Sequence, residues 1–453
     1  MPFLIDISEL GVIAGNPLLF LLWFAKKFWY IVVVWGLVYL IPNLWLLYVR
    51  SRNDKNRKYT LLAIDIPKDN EQSPKACESI FFQLAGIPSS PSFVDKWRDG
   101  LVPESFSLEI VSMGGYIQFL IHTPTVFRDL VEASIYAQYP EAEIVEVEDY
   151  ALKTRGLKFP NAEYELWGSE YQLGNKECYP IRLYPEFEHQ LSQEFKDPMA
   201  ALMEAMSAIG PDEQIWLQFV ITPASSKWTD GADKEISRIV GEEVKDKKNF
   251  LDNLSDIPLH LVRSIGDISI LLSPQSSKEK DKQDKRLYLS PSERLTVEAI
   301  SAKSSKQGFY TKARLIYIAR KSVYTKNRGV YPIAGALKQF TSIGWNELKV
   351  SSRKFMGFEH SLSPKSDLLW FKELRNNARK NKILRMYRSR ALLLEPGYYG
   401  KVMNTEELAT VYHFPIITVK TPFVKRTESK KSEPPVSLPI EPIGLPLDME
   451  EEK

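Results

Sequence analysis

The stretch FSLEIVSMGGYIQFLIH, residues 106–122, decides how this chain folds. FSLEIVS and YIQFLIH alternate apolar and polar residues with the period of a half-buried strand. Gly114-Gly115 between them marks a hairpin turn. Upstream, YTLLAIDIP (59–67) reads as another strand. Ser73-Pro74 then opens a helix, with serine as N-cap and proline in the first turn, where no N–H is needed. Ala76, Ile80, Phe81 and Leu84 form its apolar face, and Gly86 with Pro88 ends it. Downstream, Thr123-Pro124 leads into a second helix with Val126, Phe127, Leu130, Val131 and Ile135 on one side. AEIVEVE (142–148) alternates again. The order is β-α-β-β-α-β, the ferredoxin-like arrangement, in which two helices cover one face of a four-stranded antiparallel sheet.

The same order recurs. Asp197-Pro198 opens a helix that Gly210 closes, with Ala201, Leu202, Ala205, Met206 and Ile209 as its buried face. The strand EQIWLQFVITP (213–223) follows. FYTKARLIYIA (309–319), a helix from Tyr331-Pro332 to Ile343, and NELKV (346–350) supply the later half. The first strand of this copy is expected within 169–184. An insertion, 224–308, separates the halves, with helical stretches near 231–254 and 291–306. Between those stretches SSKEKDKQDKR (276–286) has no apolar residue to offset the entropy of ordering it.

Residues 28–49, FWYIVVVWGLVYLIPNLWLLYV, carry no charge over 22 positions. As a helix they cover about 33 Å, enough for the hydrocarbon core of a bilayer. Trp29 and Tyr30 lie at one end, Trp45 and Tyr48 at the other, as an aromatic belt requires. Arg50, Arg52, Lys55, Arg57 and Lys58 follow the span and only Lys26 and Lys27 precede it, which places the bulk of the chain in the cytoplasm. Residues 10–24 are apolar but broken by Asn16-Pro17. They read as an interfacial or re-entrant segment, with a short first span as the alternative.

Chemistry-bearing motifs are scarce. The sequence has no glycine-rich phosphate loop ending in Gly-Lys-Ser/Thr, no His-Glu-x-x-His and no Gly-x-Ser-x-Gly elbow. Its five histidines are scattered, and Cys77 and Cys178 are too few for a disulfide framework or a zinc site. Both read as buried thiols. Glu141, Glu143, Glu146 and Glu148 flank Ile144, Val145 and Val147 and read as the solvated side of an edge strand. No catalytic, cofactor-binding or metal-binding residue is assigned, and the chain is expected not to be an enzyme.

The region 363–390 is strongly basic. Between 372 and 390, eight lysines and arginines face one acid, Glu373, and Leu368, Leu369, Phe371, Leu374, Ile383 and Leu384 give an apolar side. Three readings stand: a helix lying on anionic lipid, a nucleic-acid backbone contact, or a core helix with a basic exterior. In the first two, Arg375, Arg379, Lys380, Lys382, Arg385, Arg388 and Arg390 make the contact. Further on, MNTEELATVYHFP (403–415) is a helix with a capping box, Asn404 or Thr405 as cap and Glu407 at the third position.

IPKDNEQSPKACESIFFQLAGI, RDLVEASIYAQYPEAEIVEVEDY, DPMAALMEAMSAIGPDEQIWLQFVI and NTEELATVYHFP together resemble an uncharacterised bacterial membrane protein family. Its members are similar to the N-terminal, non-ATPase half of conjugation or type IV secretion coupling proteins. The resemblance covers most of residues 59–440. It implies a proline-rich stretch and then an FtsK/HerA-type ATPase domain after the 404–413 helix. That domain falls beyond Lys453, so no ATPase residue is carried over and a separate motor is expected. Asn404, Thr405, Glu407, Leu408 and Val411 then become candidates for docking it. The expectation is an α+β protein in five parts. These are an anchor (1–58), two ferredoxin-like units (59–150 and 151–352), a basic helical region (353–415) and a proline-rich tail (416–453). It would sit in the inner membrane as a single-pass, non-enzymatic subunit of a DNA or protein translocation system. Its expected partners are the bilayer, the ATPase, DNA and further copies of itself, with no cofactor. The alternative is a membrane-associated scaffold with no nucleic-acid role.

Overall fold

The structure, a computed structural model, describes residues 17–67, 69–87, 92–187, 197–241, 289–351, 354–355, 358–359, 372–390 and 400–416. The chain divides into two compact units. The first joins Met1–Lys58 to Pro88–Glu104, and the second holds Tyr59–Ile87 and Ser105–Lys453. Residues 88–104 thus group with the N-terminal segment and not with residues 59–87 and 105–150, although all were expected in one unit, 59–150.

In the first unit one helix, α1, runs from Pro17 to Asn56. Residues 17–24 belong to this continuous helix and not to a separate re-entrant segment; residues 10–16 lie outside the described residues. Pro17 suits a first helical turn and so starts a helix where it was expected to break one. Val33–Asn53 is long and apolar enough to cross a membrane. Its large side chains point outward, Trp35 at 75% exposure.

The second unit is built on a nine-stranded antiparallel sheet. Its strands are β1 (Tyr59–Asp65), β2 (Phe106–Met113), β3 (Tyr116–Pro124), β4 (Glu143–Glu146), β5 (Tyr164–Leu173), β6 (Glu213–Pro223), β7 (Gly308–Arg320), β8 (Leu348–Val350) and β11 (Lys401–Asn404). A two-stranded pair, β9 (Lys354–Phe355) and β10 (Phe358–Glu359), stands apart. The main order is β4-β1-β3-β2-β6-β7-β5-β8. β7 pairs with β5 along Ala313–Arg320 and with β11 along Gly308–Thr311, so β11 prolongs the line of β5. β2 and β6 join the two repeats through eight residue pairs, Phe106↔Ile221 to Met113↔Gln214. The strands expected in two separate units, 59–150 and 151–352, therefore share one sheet within one compact unit. β5 starts at Tyr164, five residues before the window expected for it.

Alternation gives each strand two faces. Leu62, Leu108, Ile110, Phe119, Leu217, Phe219 and Leu315 point to the first face. Four helices cover it: α2 (Pro74–Leu84), α3 (Arg128–Tyr136), α4 (Met199–Ser207) and, following the short α7 (Lys326–Gly329), α8 (Tyr331–Lys338). The predicted apolar sides hold with three corrections. Val126 precedes α3 and is 87% exposed, Leu130 is exposed, and in α4 Met203 is buried where Ala201 is exposed. Within the insertion, α5 (Thr229–Val240) and α6 (Pro291–Ser304) pack together around Ala232, Ile300 and Cys178. Residues 242–288, including the charged run 276–286, lie outside the described residues.

The C-terminal pieces close both faces. α9 (Lys372–Arg388) lies on the second face, with Ile383, Leu384 and Tyr387 buried against Leu166, Trp216, Ile316 and Ile318. Gly168 in β5 permits this, because a Cβ there would meet Ile383 at 3.3 Å. α10 (Thr405–Val411) closes the first face. Tyr412 and Phe414 after it pack on Phe119, and Phe414 on Tyr139. His413 reaches Asp197, which leads into α4 of the other repeat.

Candidate functional site

The second face carries a polar track at the seam between the repeats. Ser107 and Glu109 on β2, Gln218 on β6 and Arg314 on β7 are all buried there. Register explains the alignment: Glu109 sits opposite Gln218, and Gln218 opposite Arg314. Burial of unpaired groups of this kind would cost several kcal/mol, so their partners matter. Arg314 donates to Gln218 Oε1 at 2.9 Å and to Glu170 Oε1 at 3.0 Å. Gln218 donates to Glu109 Oε1 at 2.9 Å.

Glu109 is the hub. Its Oε1 also accepts from Ser107 at 2.6 Å and from Arg390 Nε at 2.8 Å. Its Oε2 accepts from the Tyr150 hydroxyl at 2.8 Å and from Arg390 Nη2 at 3.2 Å. Tyr387 in turn lies 2.7 Å from the Tyr150 oxygen. Arg390 Nη1 and the shared Nη2 also donate to Asp149, at 2.6 and 3.0 Å. Burial pushes the Glu109 carboxyl up, but Arg390, Ser107 and Gln218 outweigh it and hold it below the usual carboxylate range. Burial raises the Tyr150 and Tyr387 hydroxyls well above their ordinary values. On the same face His122 stacks on Tyr59 and is pushed down to about 3 by burial, with the Arg390 charge adding. Arg390 itself has φ 47°, a left-handed backbone that costs a non-glycine residue about 1–2 kcal/mol.

This constellation is a charge-compensated clasp. With five donors on Glu109, both carboxylate oxygens are occupied, so the group is held as an anion and not presented to a substrate. A second feature shares no residue with the clasp. A cleft of about 370 Å³ is lined by Glu165, Trp167, Lys321, Tyr324, Lys326 and Lys380. Lys380 is ion-paired with Glu165 in its wall. Among the described residues no three His, Cys, Asp or Glu side chains gather as a metal-binding group.

The basic residues assigned to lipid or nucleic acid thus separate. Arg390 is buried in the clasp, which removes it from any such surface. Arg379 is buried and bonds Asn376 at 3.1 Å, and Arg388 donates to the Thr154 carbonyl at 3.0 Å. Arg375 and Lys382 are half-buried, and Arg385 is exposed. Leu374, expected on the apolar side, is 69% exposed, while Leu368, Leu369 and Phe371 lie outside the described residues.

The candidate docking residues also turn inward. Asn404, Thr405, Glu407, Leu408 and Val411 are all buried, so none offers a docking surface. The capping box is formed: Asn404 Oδ1 accepts from Glu407 N–H at 2.8 Å, and Asn404 N–H donates to Glu407 Oε2 at 3.0 Å. Glu407 then pairs with the buried Lys303 of α6 at 2.9 Å and accepts from the Ile181 N–H at 3.0 Å. The helix is a keystone between the insertion, the sheet and both repeats.

In the sequence Glu109, Gln218 and Arg314 each sit among apolar neighbours in a strand and look like the solvent-facing half of an alternation. The signal available was their recurrence at mid-strand in three strands. A family model described as Domain of unknown function (DUF8128) matches residues 95–346, more than half of the chain. No curated protein matches.

Proposed function

We propose that this chain, which belongs to that DUF8128 family, is a membrane-anchored, non-catalytic subunit that holds a folded cytoplasmic body for a separate ATPase of a translocation system. The observation that carries the reading is α1, whose large apolar side chains between Val33 and Tyr48 are mostly exposed and suit a nonaqueous surrounding. The basic flank Arg50, Arg52, Lys55, Arg57 and Lys58 supports a cytoplasmic body. Only two residues, Arg57 and Lys58, separate α1 from β1. The saturated Glu109 hub supports a structural and not a catalytic body.

The body is proposed to comprise two ferredoxin-like units fused edge to edge. The strand orders β4-β1-β3-β2 and β8-β5-β7-β6 support this, since each puts its fourth, first, third and second strands side by side. Docking falls to the proline-rich segment 417–453, because α10 is part of the core. Purification of the detergent-solubilised full chain from its native host tests the proposal. A nucleotide-hydrolysing partner is expected to co-purify and to be lost when residues 417–453 are removed. Absence of such a partner leaves the reading of a scaffold without a motor.

A further inference from the structure

We infer that residues 92–99 form a second membrane contact, with Phe93, Val94 and Trp97 seated in the lipid headgroup interface beside α1. The inference rests on the reading of α1 as a membrane span. Phe93 is 73% and Val94 53% exposed, and the Phe93 ring lies tilted against Trp97 with ring centroids 5.7 Å apart. Isolated exposed apolar residues are ordinary on a soluble surface. Phe93 and Val94, beside the half-buried Trp97 and fixed against a membrane helix, form a patch that water does not favour.

The depth of the patch follows from its contacts. The Trp45 indole N–H donates to the Trp97 carbonyl at 2.8 Å. Asn53 Nδ2 donates to the Gly100 carbonyl at 3.3 Å, and Arg57 pairs with Glu104 at 3.2 Å. Residues 97–104 therefore track α1 in its own direction, and Phe93 and Val94 lie toward the apolar end. Gly100 sets the closeness: its φ is +68°, and a Cβ there would stand 2.5 Å from the Val49 carbonyl. Trp45 lies four residues before Val49, about 6 Å along the helix. Trp97 is thus held within about 6 Å of the end of the uncharged stretch, near the boundary where tryptophan is enriched in membrane proteins. Lys96, with Arg50 and Arg52 on α1, suits anionic lipid headgroups, while Arg98 is paired with Asp99 at 3.0 Å and Asp95 lies on the same turn. The occupant of this surface is the bilayer, and the contact fixes how deeply the span sits.

The test places an environment-sensitive fluorophore on the full-length chain in lipid nanodiscs, through Phe93→Cys or Val94→Cys. Cys77 and Cys178 are buried and stay in place. Val38→Cys in the span and Phe82→Cys on the exposed side of α2 serve as references. The Phe93 and Val94 labels are expected to be blue-shifted and quenched by lipids carrying a doxyl group high in the acyl chain, and the Phe82 label to be unquenched. A quenched Val38 label beside water-exposed Phe93 and Val94 labels overturns the inference and leaves the anchor standing. An unquenched Val38 label overturns the anchor itself, and the inference with it.

Discussion

At the residue scale the account turns on Glu109 and Arg390, two buried charges brought together from positions 281 apart in sequence. Removing one partner of such a pair strands the other in a medium of low polarity, which typically costs about 3–5 kcal/mol. Arg390→Met is therefore expected to lower the thermal stability of the full chain in detergent by about that amount. Glu109→Gln combined with it should recover part of the loss. The pH dependence follows from the depressed carboxyl of Glu109. A group whose folded pKa lies below its unfolded value stabilises the fold above the ordinary carboxylate range and loses that contribution as pH falls through the folded value. The parent chain should lose stability on acidification below about pH 4 more steeply than the Arg390→Met variant. Equal slopes, or a stable Arg390→Met chain, would show that the clasp does not hold the seam.

At the element scale α9 and α10 carry the largest revision. Both were legible as helices, α9 from its apolar spacing and α10 from its capping box, and the strands were legible from alternation. What each helix faces was not legible. A basic helix with Ile383 and Leu384 on one side looks the same whether that side meets lipid or a sheet, because the sheet face beneath it belongs to strands far away in sequence. The polar residues Glu109, Gln218 and Arg314 looked like solvent-facing positions for the same reason. Leu384→Ala is expected to destabilise the body by about 2–5 kcal/mol. Arg385→Glu, on the exposed side, should shift stability by no more than about 0.5 kcal/mol. Thermal unfolding of the two variants compares them directly, and equal effects would contradict the packing of α9. If anionic vesicles or DNA bind this helix, Arg385→Glu weakens that binding without unfolding the chain.

At the scale of the whole molecule, the sequence made the long apolar N-terminal helix and the mixture of strands and helices readable because both signals are periodic and local. The union of the repeats was not readable, since the pairing of β2 with β6 joins residues more than a hundred positions apart. The same holds for residues 88–104, which carry no periodic signal and group with the anchor through Trp45, Val49, Asn53 and Arg57. The central claim is that α1 crosses a membrane and leaves the folded body on the cytoplasmic side. Phe82→Cys, on the exposed side of α2, reports on that body. A membrane-impermeant thiol reagent applied to intact cells is predicted to leave it unlabelled, with labelling appearing once the membrane is permeabilised. Labelling of Phe82→Cys in intact cells would contradict the account.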